Sequence, residues 1–342
     1  MAKTTAPTND RARSEGQARS RLFQAVALFV VVTYAVSAVL YVVQRLTHLE
    51  TYVFYLPSIG PLVGGLVALA VRDRLDLPIK WVPGLGFNVQ VIRRSVLLIG
   101  VAIAIVMLCV QMYSFLRWNM KPARLDLIHY PGLVDEYVPP VFALICLGIL
   151  IGVAMEEFGW RTVLEPTLRQ AMPVWKTALV TGLIWSGWQW TVFGPVLNRW
   201  RHDGGIVVIA AYLFFWLVTQ VSISMILVLA HNKMRRGNWV AAVAFRFVYG
   251  VGFFLILDEE VGRWQAMWAI SMACLICAAV GYYYYWRSLN RKASAREPGL
   301  VAEARSEAEA EAEAEATDKP TDAPTETARP DVSAGAAGRT GR

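Results

Sequence analysis

The chain has 342 residues, 56% of them apolar and only 17% charged, with a formal net charge of +7. Apolar runs of about twenty residues, the length that crosses a hydrocarbon core about 30 Å thick, recur along it. That pattern excludes a soluble globular chain. The surplus of positive charge falls between the runs, where juxtamembrane basic residues belong, which argues against a nucleic-acid surface.

In chain order, residues 1–21 form a polar, basic leading segment, and the run that follows is too long for the core of a signal peptide. Spans are predicted at Leu22–Val43, Tyr52–Val71, Ser95–Leu116, Pro140–Leu164, Val174–Phe193, Ile206–Ala230, Trp239–Leu257 and Gln265–Trp286. The predicted class is therefore an all-α polytopic membrane protein of about eight transmembrane helices, residues 22–288 forming the membrane domain. Arginines and lysines gather before the first span (Arg11, Arg13, Arg19, Arg21) and in the second connection (Arg72, Arg74, Lys80, Arg93, Arg94). They gather again in the fourth and sixth connections and after the last span (Arg287, Arg291, Lys292). The opposite connections carry Asp258, Glu259 and Glu260 along with fewer basic residues (Arg117, Lys121, Arg124, Arg199, Arg201). The bias predicts a multi-pass protein of the cell membrane with both termini cytoplasmic.

The connection Arg72–Asn88 mixes charges with Leu, Ile and Trp and is broken by prolines and glycines. It reads as a segment lying along the cytoplasmic headgroups. Residues 289–342 carry a Glu–Ala repeat followed by Pro, Thr and Ala, and read as a disordered low-complexity tail. Cys109, Cys146, Cys274 and Cys277 lie within apolar runs and read as small hydrophobes. Zinc-type Cys/His spacing is absent, so neither a metal nor a cofactor is predicted.

One stretch breaks the lipid-soluble pattern. Val141–Val153 has no charge, yet Ala154-Met-Glu156-Glu157-Phe-Gly-Trp-Arg161 follows directly. Charges inside a membrane segment are costly and are kept for a site or a pairing. Glu157 and Arg161 are four apart and share a helix face, while Glu156 points about 100° away. Arg246 lies inside the seventh span, about 12 Å deep when counted from Asn238 at 1.5 Å per residue. The two arginines balance the two carboxylates, and Arg246 is predicted to pair with Glu156. A purely structural ion pair of Glu157 with Arg161 is the plainer alternative.

The E-E-x-x-x-R segment resembles the first motif of the CPBP family, the intramembrane endopeptidases related to the CAAX prenyl protease and to bacteriocin-immunity proteins. The resemblance covers roughly residues 137–257. It implies a site in which glutamates activate a water and a histidine on the next helix assists. A second histidine, with an asparagine four residues on, stabilises the oxyanion. Glu156, Glu157 and Arg161 match the first motif, and Leu164-Glu165-Pro166 continues it. The second motif falls on Trp188-Gln189-Trp190, with Gln189 at the histidine position. The third follows His231-Asn-Lys-Met-Arg-Arg-Gly-Asn-Trp239, with Phe245 and Tyr249 at the histidine and asparagine positions.

These replacements change the chemistry. Gln189 cannot exchange a proton near neutrality, Phe245 offers no donor, and Tyr249 keeps one hydroxyl. The four histidines (His48, His129, His202, His231) fall in connections or at span ends, and His231 reads as a juxtamembrane polar residue. The reading is a family member degenerate at its histidine motifs, non-proteolytic or impaired, that binds a membrane peptide or protein. One alternative is an active endopeptidase with Glu156 as general base, supported by Gln189 and Tyr249. Another is a transporter or channel with Glu156, Glu157 and Arg246 along its pathway, although no inverted repeat is visible. Register places Gln189 and Phe245 facing Glu156 in one cavity.

Overall fold

The computed structural model describes residues 8–47, 55–81, 89–120, 138–190, 205–232, 238–257 and 264–317. All secondary structure among them is helical, with no strand. The elements are α1 (Thr8–Leu46), a 3₁₀ turn (Leu56–Ser58), α2 (Ile59–Val71), α3 (Val89–Met120) and α4 (Val138–Glu157). A π-helical stretch (Phe158–Leu164) continues α4 into α5 (Glu165–Leu168). Then come α6 (Val174–Trp190), α7 (Gly205–His231), α8 (Asn238–Leu257) and α9 (Trp264–Thr317).

Among the described residues, five helices are long and apolar enough to cross a bilayer: Gly16–Leu46, Val89–Leu116, Ala143–Leu168, Gly205–His231 and Gln265–Arg291. The other three expected spans fall short among the described residues. Leu56–Val71 and Trp239–Phe253 are apolar but shorter. The 13 residues of α2 rise only about 20 Å. Helix α6 has 17 residues and carries Lys176, three hydroxyl residues and Gln189 among its apolar positions. The end of the expected fifth span, residues 191–193, lies outside the described residues.

The chain divides into two compact units, Met1–Tyr285 and Trp286–Arg342. Within the first, α1 packs against α2, α3 against α8, α6 against α7, and α4 against both α2 and α8. The α1–α2 contact is a close backbone approach. A Cβ at Gly60 would sit 1.9 Å from Ser37 Oγ, and one at Gly64 would sit 2.1 Å from Thr33 Oγ1. Two glycines four apart clear one face of α2, the small-residue device by which membrane helices close on one another. At the other side of α2, a Cβ on Gly159 would lie 2.2 Å from the Pro61 carbonyl oxygen. Helix α2 is thereby pressed onto the π-helical stretch. Phe29, Trp160 and Trp188 then form an edge-to-face ladder with centroids 5.3 and 5.9 Å apart. Each such contact is worth about 0.5–1.5 kcal/mol beyond its buried area. Trp188 Nε1 donates to Ser37 Oγ at 2.7 Å, and Ser37 donates to the Pro57 carbonyl at 2.8 Å. This chain of contacts fixes the 3₁₀ turn that carries Ser58.

In the second unit the helix runs through Thr317 and takes in the Glu–Ala repeat. The alternating glutamates predict disorder from residue 289. Like charges four apart weaken a helix by a few tenths of a kcal/mol, about 0.2–0.5 per pair. Ala and Glu are both strong helix formers, which offsets that repulsion. Residues 318–342 lie outside the described residues.

Candidate functional site

The charged residues of α4 and its continuation converge with α8, α7 and the 3₁₀ turn. Glu156 and Glu157 end α4, and the backbone widens into the π-helical turn directly after them. Such turns concentrate at functional sites. Arg161, in the middle of the wide turn, has a carboxylate four residues away on each side. Its Nε donates to Glu157 Oε2 at 2.8 Å, and its Nη1 to Glu165 Oε2 at 3.3 Å and Ser224 Oγ at 3.5 Å. Glu157 and Arg161 are fully buried.

Glu156 faces the other way, as the 100° step requires. Its Oε1 accepts from Ser58 Oγ at 2.8 Å and its Oε2 from Arg246 Nη2 at 3.1 Å. The expected pairing of Arg246 with Glu156 is present. Arg246 Nε also lies 3.9 Å from Glu157 Oε1, an ionic contact without a hydrogen bond. Helix α8 is pinned to this end of α4 by Trp239 Nε1, which donates to the Ala154 carbonyl at 2.7 Å. The Trp185 ring lies within cation–π range of both guanidiniums, 4.2 Å from Arg246 Cζ and 5.6 Å from Arg161 Cζ.

A third carboxylate extends the cluster. Glu165 is buried and its Oε2 lies 3.2 Å from His231 Nδ1. Beside it, Arg169 hydrogen-bonds Asn232. His231, the last residue of α7, is fully buried. The end of α7 folds against α5 and removes it from water. The charge count changes too, since Glu165 adds a third carboxylate with His231 and Arg169 beside it.

The residues predicted for the histidine motifs distribute differently. Gln189 is half-buried, one turn beyond Trp185, and its Oε1 has no hydrogen-bond partner among the described residues. It makes no hydrogen bond to Glu156. Phe245 is fully buried, but it stacks on Tyr249 at 6.0 Å, and Tyr249 meets Phe253 edge-on at 4.6 Å. These three positions, each four apart, form an aromatic stripe along α8. The group that reaches Glu156 is Arg246, the next residue along. Phe245 stays inside the bundle, one residue before the arginine that reaches Glu156. Ser58 and the Glu165–His231 contact were not anticipated. Glutamates at both i−4 and i+4 of Arg161 were a legible signal for Glu165. A lone serine in a Leu-Pro-Ser turn carries none. Among the described residues, no group of three His, Cys, Asp or Glu side chains could hold a metal ion.

No family model matches the chain. It is distantly related to lysostaphin resistance protein A of Staphylococcus aureus, at 24% identity over 258 residues in strain Newman and in strain USA300. In strain MRSA252 the identity is 25% over 257 residues. The alignments cover 75% of this chain and 55% of the relative, so the chain spans about half the length of the curated relatives it matches. With the apolar helices, this relationship marks a multi-pass membrane protein.

Proposed function

We propose that this chain is a non-proteolytic relative of the CPBP-type intramembrane endopeptidases that binds a membrane peptide or protein at its charged cluster. The observation that carries the reading is the engagement of Glu156. A hydrolytic carboxylate works with a proton-exchanging partner beside it. Glu156 is held by Ser58 on one oxygen and Arg246 on the other, and neither partner exchanges a proton near neutrality. Among the described residues the one histidine is His231, and it contacts Glu165 at the opposite end of the cluster. Positions where the family resemblance implies histidines carry Gln189 and Phe245 instead. The accessible edge of the cluster is the Glu156–Arg246 pair, with side chains 9% and 10% exposed, and a partner helix would meet it there. The proposal includes both termini on the cytoplasmic side, supported by the basic connections. Thiol labelling from outside should then reach a cysteine placed at Asp258 and miss one placed at Ser14.

The test is cleavage of a peptide library in liposomes by wild type, Glu156→Ala and Gln189→His. Wild type and Glu156→Ala are expected to be equally inactive. Cleavage by wild type that Glu156→Ala abolishes would establish the endopeptidase reading instead.

A further inference from the structure

The segment after α2, read from sequence as lying along the headgroups, is tied down more firmly than that reading requires. Leu77 and Ile79 are buried, 8% and 6% exposed, although they belong to no helix. Leu77 N–H donates to the Arg72 carbonyl at 3.0 Å, and Ile79 N–H to the Leu77 carbonyl at 2.7 Å. Gln170 Nε2 donates to the Pro78 carbonyl at 2.7 Å, and Lys80 N–H to Thr167 Oγ1 at 3.2 Å. The segment is a strap across α5, the helix that carries Glu165.

Between this strap and the start of α1 lies an open cavity of about 380 Å³, lined by Gln17, Ala18, Arg21, Asp76, Leu77 and Pro78. That volume falls in the usual range of ligand cavities, about 300–1,000 Å³. Arg21 and Asp76 pair across its mouth, with side chains 51% and 82% exposed. Asp76 is the one described residue other than glycine in the left-handed region, at φ 47°. The chain accepts that conformation where the carboxylate turns to the arginine, and such outliers cluster at ligand clamps.

The position is defined by the helices alone. The apolar run of α1 begins at Leu22, directly after Arg21, and the apolar stretch before the strap ends at Val71. The cavity therefore sits where the apolar spans give way to polar chain, at headgroup level on whichever side that face lies. A cavity lined by one sign of charge would select a simple ion. Here a guanidinium and a carboxylate stand side by side, and their complement is a molecule with an anion and a hydrogen-bonding cation a few bonds apart. An exposed pair of this kind adds little to folding and keeps spare donors and lone pairs for a ligand.

We propose that this cavity binds the zwitterionic ammonium–phosphate headgroup of a phospholipid, as in phosphatidylethanolamine. The phosphate accepts charge-assisted hydrogen bonds from Arg21, and the primary ammonium donates to Asp76. Ala18, Leu77 and Pro78 flank the glycerol and the first acyl carbons. Through the strap, an occupant of the cavity bears on α5 by way of Gln170 and Thr167.

The experiment is lipid binding to the full chain in detergent micelles, read by native mass spectrometry with phosphatidylethanolamine, phosphatidylcholine and phosphatidylglycerol of matched acyl chains. Phosphatidylcholine has a cation without an N–H donor, and phosphatidylglycerol has no cation. Wild type should bind phosphatidylethanolamine about threefold more tightly than either, a ratio within reach of exposed charge pairs. Asp76→Asn should erase that preference, and Arg21→Gln should weaken all three lipids. Both side chains are solvent-facing, and circular dichroism of each variant checks that the fold is intact. Equal binding of the three lipids by wild type overturns the proposal, as does a preference that survives Asp76→Asn. Competition by soluble phosphoethanolamine at equal concentration would overturn the lipid assignment by moving the ligand into solution.

Discussion

Two arginine–carboxylate pairs in this protein show how far environment outweighs chemistry. Arg161–Glu157 is fully buried, flanked by Glu165, Ser224 and Trp185. Arg21–Asp76 makes the same kind of contact in the open, with both side chains more than half exposed. In water the ions of the second pair lose little hydration and gain little from each other. In the interior, each ion of the first has lost its hydration and depends on its partner. The buried pair does not add stability relative to an apolar core. It makes the loss of either member expensive. That difference turns a motif into an organising centre, because every helix that supplies a partner is held to one geometry.

The largest loss is expected from Arg161→Ala, which leaves Glu157 and Glu165 buried with no guanidinium between them. Destabilisation of about 3–5 kcal/mol is expected. Denaturant unfolding in detergent reads it, and a loss below about 1 kcal/mol, the scale of an exposed pair, would erase the contrast. A smaller effect is expected at the edge of the cluster. Arg246→Ala removes one partner of Glu156 but leaves Ser58 in place, so a loss of about 2–3 kcal/mol is expected. Glu156→Gln in the same chain should recover part of it. A double-mutant cycle should return a coupling of about 0.5–3 kcal/mol, and additive losses would show that the 3.1 Å contact carries no energy. The smallest effect belongs to the exposed pair. In lipid-free detergent, Asp76→Asn should change stability by at most about 1 kcal/mol. A larger loss would mean that the strap itself depends on this pair.

Much of the helical organisation was legible because apolar runs report burial in lipid directly. The span count was less so, since α2 is 13 residues long and α6 is polar along much of its length. The pairing of Arg246 with Glu156 could be anticipated from depth and charge balance, both properties of position along a helix. The stacking of Phe245 on Tyr249 could not, because packing across the bundle sets which rings of α8 meet.

Residue order alone places charges within apolar runs and sets glutamates four residues from Arg161 on both sides. Those features follow from residue order and helical periodicity, and need no long-range contact to hold. Packing across the bundle sets the widening of the backbone into a π-helical turn at Phe158, where Gly159 lets Pro61 approach. It also brought Ser58 from a turn 98 residues away to Glu156. It buried His231 against Glu165 and closed the strap over α5. Each of these depends on how close two distant backbones come, which is set by packing across the bundle and leaves no periodic mark on either segment.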